Sequence, residues 1–168
     1  MNVGLQAMAW HDLFAASASA SAALLGLLFV AMSLHVREIQ KSPILRLRAR
    51  VNLQALAALV AVALLVLLPG QPNWLLGVEL IVVLAVYLPL VFWSTSTLSR
   101  ELGGLPESVG TRLLVQHLLL LLQVAAALSL IAGQGPGLFL EAPVFLLGLP
   151  VTTFNTWNVL FAPEAGRD

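Results

Sequence analysis

The chain has 168 residues, with eight Lys plus Arg balanced by eight Asp plus Glu, and no cysteine. Hydrophobic residues make up 60% and charged residues 10%, at a mean hydropathy of +0.96; soluble domains carry about 25% charged residues. A water-soluble domain is excluded, as are disulfides, thiol catalysis and thiolate metal sites, and eight basic residues without a long basic patch argue against nucleic-acid binding.

The first predicted element spans 10–36. Leu13 to Leu34 is an uncharged run, a helix of roughly 33 Å against a hydrocarbon core of about 30 Å. Met1 to Trp10 holds no Lys or Arg, and the Ala-Ser run precedes the leucines. That order does not suit a cleaved signal peptide, so the segment reads as a retained span. Asp12, Ser19, Gly26 and Ser33 recur every seven residues, with Ala16, Ala23, Val30 and Arg37 at i+4 between them. A helix then carries a continuous small or polar stripe. Small residues let membrane helices approach closely, which makes Ala16, Ala23 and Gly26 helix-packing candidates. Asp12, Ser19 and Ser33 on the same stripe are pore or ion-binding candidates, since a seam and a pore wall both call for small side chains.

Four more uncharged intervals follow. A span over 43–68 opens at Ser42-Pro43, a cap and first-turn pair, and stops before Pro69. A third, over 73–99, opens at Asn73 as a cap residue. Gly103-Gly104-Leu-Pro106 breaks the chain, and a fourth span over 111–132, capped by Thr111, ends at Gly133-Gln-Gly-Pro-Gly137. The fifth covers 138–161 and contains Pro143 and Pro150. The expected fold is all-α, a single transmembrane domain built as a bundle of five membrane-spanning helices. All eight Lys and Arg then fall on one side, which the positive-inside rule makes cytoplasmic; the N-terminus is expected outside and the C-terminus inside. Arg37, Lys41, Arg46, Arg48 and Arg50 crowd around the first cytoplasmic loop, where they set topology and meet anionic headgroups, at about 1 kcal/mol per basic residue.

The run Ser21-Ala-Ala-Leu-Leu-Gly-Leu-Leu-Phe-Val-Ala-Met-Ser33, with Trp10, Asp12, Phe14 and Asn155-Thr-Trp157, resembles a group of small bacterial multi-pass membrane proteins of uncharacterised activity. The likeness is best over the first span and elsewhere covers only the layout. It implies a bacterial membrane protein and no particular activity; the expected location is the bacterial cytoplasmic (inner) membrane.

Polar groups inside the spans are the remaining leads, since a mid-bilayer charge costs about 2.5–3.5 kcal/mol or more. Glu79 falls roughly 9 Å from the outer end of its span, with Tyr87 and Ser94 near the same face. It reads either as a cation- or proton-binding carboxylate or as an acid hydrogen-bonded to a neighbouring helix. Gln116 and Gln123 share a face at seven-residue spacing; a buried Gln serves as interhelical glue, worth around 0.6 kcal/mol, or as a ligand. Thr152, Asn155, Thr156 and Asn158 follow Pro150 and could satisfy the carbonyl it frees or coordinate an ion. Glu141 is placed near the outer end of its span, within reach of water. Arg46, Arg50 and Gln54 share a face that could continue a polar path.

His35 and His117 fall at similar depth and could flank a haem, but no paired-His spacing or ligand cluster accompanies them. No cofactor and no metal is expected. Nor is an enzyme: no phosphate loop, Ser-His-Asp set or paired catalytic carboxylates appear. The functional expectation is a homo-oligomeric pore or channel for small ions, with Asp12, Ser19, Ser33, Glu79, Gln123, Asn155 and Asn158 as pore or ion-binding candidates. The rival is a non-conducting accessory protein packed against another membrane protein. A transporter built on an inverted repeat lacks the internal likeness of two halves.

Overall fold

The computed structural model describes residues 3–101, 107–133 and 137–161. Among them are six helices and no strand: α1 Val3–Leu34, α2 Val36–Lys41, α3 Pro43–Val66, α4 Asn73–Glu101, α5 Glu107–Ile131 and α6 Gly137–Phe161. Five are long and apolar enough to cross a membrane. Helices are the open-chain solution in hydrocarbon, because each satisfies its own backbone N–H and C=O groups.

The boundaries follow local chemistry, with three departures from expectation. Ser42 caps α3, its Oγ accepting from the Leu45 N–H at 3.3 Å, with Pro43 in the first turn. Asn73, expected as a cap, is instead the first residue of α4; the Leu75 and Leu76 N–H groups donate to the Pro72 carbonyl at 3.0 and 3.2 Å. Thr111 lies inside α5, which opens four residues earlier at Glu107. The first span ends at Leu34, and α2 follows as a separate short helix whose Ile39 packs on Ala49 with Met32 and Leu45. Gly133 closes α5 at φ 68°, a left-handed turn that glycine adopts without strain.

Helices α3, α4, α5 and α6 form a ring in which each packs on the next and α6 returns to α3. Helix α1 lies outside it, against α3 and α6. We call the two ends of the bundle the Trp10 end and the Arg37 end. The core at the Trp10 end joins all five long helices through Phe14, Leu59, Val62, Leu80, Ala127 and Phe145. Phe14 meets Phe145 edge-on at 5.4 Å between ring centres, and Trp10 meets Phe139 at 4.7 Å. Towards the Arg37 end, Leu84, Val91 and Leu120 hold α4 to α5.

The large exposed apolar side chains, Leu27 and Phe29 on α1, Val82 and Phe92 on α4, Leu121 on α5 and Leu146 on α6 among them, face outward as a lipid-facing belt does. Helices in lipid gain nothing by hiding such groups from one another and associate through close backbone approach. At Gly77, α4 approaches α5 tightly: an added Cβ would lie 2.7 Å from the Ala127 carbonyl oxygen and 2.7 Å from Ile131 Cγ1. Gly26 on α1 has nothing within 4 Å of such a Cβ. Gly77→Ala should therefore destabilise the bundle by about 1–3 kcal/mol, the usual cost of overpacking. Gly26→Ala should leave the stability of the single chain unchanged, and thermal unfolding of the two variants in detergent checks both.

Candidate functional site

The α1 stripe that dominates the sequence turns away from the ring. Asp12, Ala16, Ser19, Ala23, Gly26 and Ser33 are all exposed. The Ser19 and Ser33 hydroxyls donate to carbonyls of their own helix, Ala15 at 2.9 Å and Phe29 at 2.8 Å. The seam that α1 uses within the chain is the opposite face, Phe14, Ser17, Ala18, Ser21 and Leu28. No described residue of the chain buries the stripe.

Inside the ring, polar residues from four helices converge. A cavity of about 100 Å³ is lined by Asn52 of α3, Tyr87 of α4, Gln116 and Gln123 of α5, and Thr152 and Asn155 of α6. Leu59, Val83, Leu84, Leu120 and Val144 supply apolar wall. The expected shared face of Gln116 and Gln123 is real, since seven residues make about two helical turns and return both to the ring interior. Gln116 Nε2 donates to the Tyr87 hydroxyl oxygen at 3.3 Å. Thr152 donates to the Gly148 carbonyl at 2.7 Å, Thr153 to Leu149 and Thr156 to Thr152, so these hydroxyls are held by α6 itself. None of the three takes the Leu146 carbonyl that Pro150 frees.

Glu141 continues the polar column towards the Trp10 end and corrects the expectation that it sits within reach of water. Its relative exposure is 0%, because Gly137 seats the start of α6 against Leu130 so closely that a Cβ there would lie 2.5 Å away. Gln123 Nε2 donates to Glu141 Oε1 at 3.3 Å, while Oε2 has no hydrogen-bond partner. Glu141, Gly148, Thr152 and Asn155 are spaced by seven, four and three residues, one face of a helix running roughly 21 Å along its axis. The sequence carried that spacing; what it could not show was which face the ring encloses.

Glu79 is not part of the column. It is half-buried at the Trp10 end and accepts from Gln71 Nε2, tying the α3–α4 connection to α4. Ser94 is buried but donates to the Val91 carbonyl of its own helix. The side chain of Asn158 lies outside the described residues. Asn52, which is not among the residues expected from the sequence, is 6% exposed and faces the cavity, whereas Gln54 does not line it. His35 and His117 are both exposed, on segments that do not pack together: His35 follows α1, His117 lies on α5, and those helices make no pair. Arg37, Lys41, Arg46 and Arg50 are exposed around α2 and the start of α3, with Arg48 half-buried among them.

This arrangement belongs to an integral membrane protein of the multi-pass class, with an apolar exterior and a partly polar cavity between four of its five spanning helices. Comparison with protein-family models, curated proteins and solved structures finds no match for the chain.

Leucine in place of Gln123 removes the donor and leaves a fully buried carboxyl group with neither oxygen paired. The Gln123→Leu chain should lose about 1–3 kcal/mol of stability, the cost of an unsatisfied buried polar group. The double variant Gln123→Leu with Glu141→Leu should lose less than the sum of the two single ones. A double-mutant cycle from unfolding in detergent measures that coupling.

Proposed function

We propose that this protein passes small ions across a bacterial cytoplasmic membrane, with the Arg37 end cytoplasmic and the Trp10 end outside. The observation that carries the reading is the column from Glu141 through Gln123 to Asn52, Tyr87, Gln116, Thr152 and Asn155 inside a single chain. Polar side chains in a membrane are retained where they pair or line a path, and here four helices direct them at one cavity. Asn155 lies six residues from Phe161, the last residue of α6, and Glu141 lies four residues from Gly137, its first. Carriers of selectivity in such paths are carbonyl, hydroxyl and carboxylate oxygens that replace an ion's hydration shell, the groups found here.

The proposal includes a homo-oligomer, but it assigns the shared axis a different task from the path. The outward stripe with Ala16, Ala23 and Gly26 supports association of copies, since Gly26 stands in open space and a neighbouring backbone could approach it closely. Asp12, Ser19 and Ser33 lie on that same stripe and become contact residues. The basic residues Arg37, Lys41, Arg46, Arg48 and Arg50 are assigned to anionic headgroups at the cytoplasmic surface. The same outward stripe favours a second reading, a non-conducting accessory protein docked through α1 on another membrane protein.

Liposome flux and native mass spectrometry separate these readings. The conducting protein should give ion flux above empty vesicles and more than one copy per particle. Gly26→Leu should dissociate the oligomer while each chain keeps its fold. No flux, together with a monomer or a stoichiometric foreign membrane partner, would leave the accessory reading in place.

A further inference from the structure

Resting on the ion-passing proposal, we infer that the cavity between α3, α4, α5 and α6 is a binding site for one monovalent cation with part of its hydration shell, and that the Glu141 carboxyl group, losing its proton to solvent as the ion enters, supplies the counter-charge. The lining holds no Lys, Arg or His, so an anion would find nothing to offset its charge. Its polar atoms are rich in acceptors: the carbonyl oxygens of Asn52, Asn155, Gln116 and Gln123 and the oxygens of Tyr87 and Thr152. Asn52 is more than nine-tenths buried and faces the cavity, and neither it nor Asn155 makes a side-chain hydrogen bond among the described residues. Asn52 is buried and Asn155 half-buried, and their amide groups are left to whatever occupies the cavity. About 100 Å³ gives room for a small cation and several waters.

Gln123 joins the charge to the site. Its Nε2 donates to Glu141 Oε1, and its carbonyl oxygen is left to the cavity that the same side chain lines. A cation accepted by that carbonyl polarises the amide and strengthens the N–H bond to the carboxylate, so ion and counter-charge communicate through one side chain. Glu141 stands behind Gln123, one hydrogen bond from a side chain that lines the cavity, and does not line it itself, so direct contact does not trap the ion. An ion in transit must be held loosely enough to leave. Divalent ions suit the site poorly, since a single carboxylate beyond the lining leaves half their charge unbalanced.

The test is equilibrium binding of radiolabelled rubidium to the purified protein in lipid nanodiscs. Binding should saturate, and excess potassium should displace it. Glu141→Gln keeps the shape and the hydrogen bond to Gln123 but removes the charge, and should weaken binding at least tenfold; Asn52→Leu, which fills the cavity, should do the same with Glu141 intact. Elution as a single species and an unchanged melting temperature confirm that each variant is folded. Absence of saturable binding by the native protein, or full binding by folded Glu141→Gln, overturns the inference. Stabilisation by glycerol without any effect of rubidium assigns the cavity to a neutral solute and overturns it too. Flux measured on the same samples keeps the two proposals apart. Binding without flux upholds the cation site and sinks conduction, whereas flux undiminished in folded Asn52→Leu sinks the cation site and leaves conduction standing.

Discussion

A carboxyl group withdrawn wholly from solvent, in a helix that crosses hydrocarbon, sets the terms for this bundle. Taking Glu141 out of water costs several kcal/mol if it is charged, and the cost falls only as far as neighbouring dipoles compensate it. The compensation present is one amide from α5, at 3.3 Å. That single donor requires α5 and α6 to stand side by side with a particular rotation. Gly137 permits the approach, because any side chain there would strike Leu130. Once α5 and α6 are so placed, Gln116 and Asn155 come to face the same interior, and α3 and α4 close the ring with Asn52 and Tyr87. The polar column is thus a consequence of one fixed rotation between two helices.

The apolar core at the Trp10 end does the complementary work. Phe14, Phe145, Leu80 and Leu130 fill the space between helices there, adjoining the level at which Glu141 is sealed in. The seal explains why a carboxyl group only four residues from the start of α6 is dry, although its distance along the helix puts it near the membrane surface. Depth along a span and access to water are separate quantities. Lateral packing decides the second.

The five spans were legible because hydrocarbon thickness leaves little freedom: an uncharged run of sufficient length has to be a helix, and prolines and glycines mark its ends. Ser42-Pro43 and Gly133 read correctly for that reason. Rotation about each helix axis was not legible. In a soluble protein the apolar stripe faces the core, but here apolar residues face lipid and core alike, so hydropathy carries almost no rotational information. Gln116 and Gln123 could be placed on one face by spacing alone, and were. Asn52 could not be preferred over Gln54, since nothing in α3 says which of two amides two residues apart looks inward. The burial of Glu141 is not legible because its neighbours on α5 are remote in sequence.

Helix α1 shows the same ambiguity in its sharpest form. Its Ala-Ser run offers two small-residue faces, Ser17-Ala18-Ser21 and Ala16-Ser19-Ala23, offset by a fraction of a turn. Periodicity favours the second, which continues through Gly26 and Ser33 for the whole span, yet α3 and α6 take the first. The reason is Phe14: the large ring on the first face fills the Trp10-end core against Phe145, and a face without such an anchor has nothing to insert there. The cost is visible further along, where the Ser21 hydroxyl is completely buried with no hydrogen-bond partner. A helix that accepts an orphaned hydroxyl on its inner face while leaving an uninterrupted small-residue face outside is shaped by two sets of contacts. The inner set is complete within this chain. The outer set, from Asp12 to Ser33, is geometrically suited to another helix and finds none among the described residues.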